Sequence, residues 1–123
     1  MDLRLKRAYE PARATDGYRV LIDRLWPRGV SRERAHLDEW ARELAPSAAL
    51  RRWFGHDPAR FSQFRRRYAE ELAAQETKLR ELRRRARQGT LTLVYGARDT
   101  EHNDAVVLAE VLLGRTRQEK EGS

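Results

Sequence analysis

Phe61, Phe64, Tyr68, Leu72, Leu79, Leu82 and Ala86 recur at helical spacing, and Gln75 is the one polar step in an otherwise apolar stripe. That period predicts one long amphipathic helix, the longest element of the chain. Asp57 and Pro58 suit its start as cap and first-turn residue, and Gly89 its end. Such a helix needs a second layer on which to bury its stripe. The runs "YRVLID" (18–23) and "TLTLVYG" (90–96) offer one, because their nearly continuous apolar centres suit strands covered on both faces. Two strands with helices between them predict parallel neighbours joined by a right-handed crossover.

The remaining segments fit round that unit. Residues 2–7, "DLRLKR", alternate as a half-exposed strand does. Leu37, Trp40, Ala41 and Leu44 are spaced for a helix from Ser31 to about Leu44, which Pro46 ends. "AALRRWF" reads as a short helix with Ser47 as its cap and Gly55 as its stop. "DAVVLAEVLLG" closes the domain as a last amphipathic helix whose start is expected near Thr100. The class expected is α/β: a small, mainly parallel sheet of about three strands covered by helices, with one long helix before the last strand. Residues 1–114 form a single domain, and 115–123 are expected to be a disordered tail.

At 123 residues there is room for one core and not two. The absence of cysteine excludes disulfides, thiolate catalysis and zinc–thiolate sites, and fits a reducing compartment. No signal peptide or membrane span is legible, so a cytoplasmic protein without a membrane partner is expected. The net charge is +7, and all but three of the 26 basic residues are arginine. Arginine is the residue of phosphate recognition, but here much of it alternates with glutamate on solvated helix faces. The triplets at 65–67 and 83–85 spread round a helix and form no compact patch.

The chemistry concentrates where the two strands end. "LIDRLWPRG" passes from apolar residues into Asp23, Arg24, Trp26 and Arg28, more than a turn at Pro27 and Gly29 requires. After the other strand come Tyr95, Arg98, Asp99, His102 and Asn103. Parallel strands would bring both clusters to one edge, where open α/β sheets place ligands, with the last helix adding its positive end. Arg24 and Arg28 either clamp an anion or latch the loops through Asp23 or Asp99. Trp26 either lids the sheet edge or stacks on a base. His102, oriented by Asp99, is the candidate for proton transfer, against the plainer role of a histidine at a helix start. His56 is the residue of "WFGHDP" that a structural account leaves over. The three histidines, His36, His56 and His102, have no metal-ligand spacing.

The stretches "DGYRVLIDRLWPRG", "ELAPSAALRRWFGHDPARFSQFRRRY" and "GTLTLVYGARDTEHNDAVVLAEVL" resemble the domain of unknown function 488 (DUF488) family, in its short YeaO-like branch. The resemblance implies a small bacterial cytoplasmic α/β protein and no assigned activity. Longer relatives in that family often carry a Cys-His-Arg triplet after the last strand. The matching place here is Glu101, His102 and Asn103, so thiol chemistry does not carry over.

Three functional readings follow. The first is a small anionic ligand, bearing phosphate or carboxylate, held in a cleft by Asp23, Arg24, Trp26, Arg28, His56, Tyr95, Arg98 and Asn103, with His102 and Asp99 as catalytic residues if acid–base chemistry occurs. The second is a nucleic-acid-binding or regulatory module using the arginine-rich surface. The third is a structural or partner-binding protein, for which a homodimer is plausible. No cofactor is identifiable from the sequence.

Overall fold

A computed structural model of the protein describes residues 1–115. All of the expected tail except its first residue lies outside the described residues. The strands are β1 (Asp2–Arg7), β2 (Tyr18–Leu21), β3 (Glu39–Trp40) and β4 (Thr90–Tyr95), and the helices α1 (Arg32–Ala35), α2 (Ala48–Phe54), α3 (Phe61–Leu72), α4 (Glu76–Gln88) and α5 (Asp104–Leu112). The fold is α/β. Its sheet is parallel throughout in the order β1-β4-β2-β3. β2 and β4 are neighbours, with Val20 opposite Leu93 and Leu21 opposite Val94. Both chains therefore leave the sheet at the same edge.

One face of the sheet carries Val20, Leu91, Leu93 and Tyr95 into the main core, where they meet the predicted stripe of α3 and α4 and the apolar side of α5. Residues 73–75 form a 3₁₀ turn between α3 and α4, and Gln75 leaves helical geometry at φ −109° and ψ 33°. The helix before the last strand is thus jointed at the stripe's one polar step. The other face is thinner: Ala8, Leu21 and Val94 are covered by Trp26, Leu37 and Trp40. At the opposite end of the sheet, buried Arg19 bonds Asp16 at 2.7 Å and the Ala35 carbonyl at 2.8 Å.

The helix expected over residues 31–44 is replaced by α1, the two-residue strand β3 and a 3₁₀ turn at Arg42–Leu44. The physical reason is a break at His36, which takes a left-handed φ of 45°. Asp38 then binds the open edge of β2 twice: its N–H donates to the Arg19 carbonyl at 2.9 Å, and its carboxylate accepts the Arg19 N–H at 2.8 Å. A fourth strand is added, and Trp40 joins the second face instead of a helix stripe.

Candidate functional site

Asp23 is the first polar residue after the β2 run. Its Oδ2 accepts the Gly96 N–H at 2.8 Å, tying the ends of β2 and β4 together. A Cβ at position 96 would lie 3.2 Å from that oxygen, so glycine is what lets the carboxylate approach closely. The Asp23 carbonyl accepts the Trp40 Nε1–H at 2.7 Å. Trp40 meets Trp26 edge-on with ring centroids 5.4 Å apart, and Trp26 donates to the Val30 carbonyl at 2.6 Å. The turn containing Pro27 and Gly29 is thus pinned from two sides, and Trp26 acts as a lid on the sheet edge.

The start of α5 faces this turn. Asn103 is buried and caps the helix, its Oδ1 accepting the Val106 N–H at 3.0 Å while its Nδ2 donates to the Asp99 carbonyl at 2.8 Å. Asp104 follows, with Oδ1 accepting the Ala105 N–H at 2.9 Å. The Asp104 carboxyl lies beside that of Asp23, and both line the same cleft. Burial, then the charge of Asp23, pushes the Asp104 carboxyl well above its usual range.

A cleft of about 250 Å³ opens above this pair. Asp23 and Asp104 lie on its polar floor, while Trp26, Phe54, Phe64, Pro27 and Pro46 give it flat apolar walls. Arg24, Arg51 and His56 line its exposed rim. Arg24 donates to the Pro46 carbonyl at 3.2 Å, and neither Arg24 nor Arg51 has an ion-pair partner among the described residues. His56 sits at φ 56°, a left-handed conformation that side chains other than glycine adopt at a cost. Two guanidinium groups thus stand at the mouth of the cleft and two carboxyl groups on its floor.

Of the residues singled out from sequence, Asp23, Arg24, Trp26, His56 and Asn103 line this cleft. Five lie elsewhere. Arg28 and Arg98 are exposed outside it, and Tyr95 is buried in the main core, where desolvation pushes its hydroxyl above the ordinary value. His102 and Asp99 do pair, Nδ1 to Oδ2 at 2.9 Å, but outside the cleft lining and with the imidazole set edge-on against Phe61 at 5.1 Å. Asp99 also accepts the N–H groups of Glu101 and His102, and these bonds together with the imidazole hold its carboxyl below the usual range. The latches weighed for Arg24 and Arg28 through Asp23 or Asp99 do not form; the latch is Asp23 itself.

Asp104 and Arg51 were the residues that sequence reasoning missed. Each sits in a helix whose other positions explain it, as first-turn acid and as exposed cation. The available signal was that Asp104 directly follows the cap residue of a helix aimed at the first cluster. Among the described residues, no group of three or more His, Cys, Asp or Glu is arranged to hold a metal ion, and no helix is long and apolar enough to cross a membrane.

Comparison with known proteins matches residues 2–123 to the family model DUF488-N3i, described as the inactive DUF488-N3 subclade. The chain is 44% identical over 112 residues to "Uncharacterized protein YeaO" of Escherichia coli strain K12, covering 91% of this chain and 97% of that protein. It is 40% identical over 113 residues to uncharacterized proteins of Mycobacterium bovis and Mycobacterium tuberculosis, covering 92% of this chain and 95% of theirs. No solved structure matches the chain.

Proposed function

The chain belongs to the DUF488 family, and from that premise we propose that it binds a small anionic ligand in the cleft at the carboxyl edge of its sheet and holds it without turnover. The observation that carries this reading is the pair of guanidinium groups, Arg24 and Arg51, on the rim of a cleft with apolar walls and with no ion-pair partner among the described residues. Arginine in that setting suits phosphate or carboxylate, which it meets through a planar fork of donors. The subclade's description as inactive favours binding over catalysis. So does the position of His102 and Asp99, whose pairing lies outside the cleft lining.

Thermal melting of the wild type and of an Arg24→Ala/Arg51→Ala double variant tests this, with inorganic phosphate, sugar phosphates, nucleotides and a short DNA duplex at two salt concentrations. A ligand at about 100 times its Kd adds roughly 2.7 kcal/mol to the folded state. The reading expects a salt-tolerant shift with a small anion in the wild type and none in the double variant. A shift with the duplex alone, confined to low salt, would overturn it in favour of generic polyanion attraction.

A further inference from the structure

The floor of the cleft differs in character from its rim, and this constrains what can enter. Asp23 and Asp104 bring two carboxyl groups to one cleft, where their oxygens are engaged by the Gly96 N–H at 2.8 Å and the Ala105 N–H at 2.9 Å. Both side chains line the cleft, and what carboxylate oxygens offer a ligand is acceptors. An anionic group seated there would face two carboxyl groups in place of the guanidinium donors that suit it. At the rim the preference is reversed, because Arg24 and Arg51 offer only donors.

Building on the proposed anion site, we infer that the ligand is bipolar and enters with a hydrogen-bond-donor end foremost. Its hydroxyl or amino groups sit on the Asp23–Asp104 pair, and its phosphate or carboxylate remains at Arg24 and Arg51. The apolar walls of Trp26, Phe54 and Phe64 cover the part between. A bare anion satisfies only the rim and leaves the acceptor floor without a partner. Discrimination arises because a buried polar group that loses its partner costs more than the paired group gains. The floor therefore selects against free inorganic anions.

Isothermal titration of the full chain with three probes tests this: inorganic phosphate, ribose 5-phosphate as a hydroxyl donor, and O-phosphoethanolamine as an ammonium donor. At least one bipolar probe is expected to bind tenfold or more tightly than phosphate. In Asp23→Asn/Asp104→Asn that advantage should collapse, with phosphate bound as tightly as before or better. Retained phosphate binding also shows that the variant is folded, and Asp104→Asn alone keeps the Ala105 contact and leaves Asp23 in place should the double variant not fold. In that single variant the advantage should fall in part. Phosphate binding as tight as both bipolar probes, or an advantage undiminished in the variants, would overturn the inference while leaving the anion site standing. If none of the three binds, the anion site itself is refuted and the inference with it.

Discussion

Asp104 keeps a proton at a pH where an exposed carboxyl has lost it, because burial and the adjacent Asp23 carboxylate both disfavour its charge. Its folded-state value lies above the 3.8 expected for an unfolded chain, so the folded protein binds this proton more tightly. The contribution to stability therefore falls as pH rises from about 3.8 toward the raised value, and is level above it. Asp104→Asn, which mimics the protonated acid, should remove that slope; the difference between wild-type and variant melting temperatures across a pH series measures it. Asp16 acts in the opposite sense. Burial raises its carboxyl, but the Arg13 N–H with Lys6 and Arg19 outweighs this and lowers it, so its contribution is lost as pH falls through the acid range. His56 yields a second expectation. Its left-handed backbone costs a non-glycine residue about 1 kcal/mol, so His56→Gly should leave the melting temperature equal or higher while weakening ligand binding. A fall in stability with unchanged binding would make His56 a structural residue. Asp23 stood out in the sequence because an acid interrupts an apolar strand; Asp104 did not, because an acid in a first helical turn is ordinary.

At the scale of elements, capping and periodicity were legible because they are local. Ser47, Gly55 and Asp57 bound the short helix and the restart after it as their chemistry requires, and the stripe from Phe61 to Ala86 is buried along its length. The segment 31–44 was misread for the opposite reason. Its apolar spacing suits a helix, yet Asp38 pairs with the edge of β2, a contact between residues far apart in sequence that no local pattern encodes. Half of the candidate site shares this difficulty: Arg51 reaches the cleft because α2 is held against α3. Glu71 accepts the Ser47 N–H at 2.8 Å and the Ser47 hydroxyl at 2.6 Å, while Ser47 Oγ caps α2 through the Leu50 N–H. Ser47→Ala removes the cap and leaves Glu71 short of a donor, at a cost of about 1–2 kcal/mol. Urea unfolding should show that loss together with weaker ligand binding, since α2 presents both Arg51 and Phe54 to the cleft.

Across the whole molecule, the arginine content proves to be distributed among structural tasks. Arg42 lies over Trp40 and Arg85 over Tyr18, each at 3.7 Å from the ring centroid, and Arg60 and Arg67 both lie over Trp53. Arg83 donates to the carbonyls of Val111 and Leu112 at the end of α5, where a cation complements the helix dipole. With a net charge of +7 spread in this way, duplex DNA should bind only weakly, and fluorescence anisotropy should show that binding vanish between low and physiological salt. These structural arginines leave Arg24 and Arg51 for the ligand site proposed at the carboxyl edge of the sheet. Amide chemical-shift mapping during titration with ribose 5-phosphate tests it most directly. A ligand at the sheet edge should perturb Asp23, Arg24, Gly96, Asn103 and Asp104, with shifts that saturate together and are absent in the Arg24→Ala/Arg51→Ala variant. Perturbations confined to the outer arginines of α3 and α4, or none at the sheet edge, would contradict it.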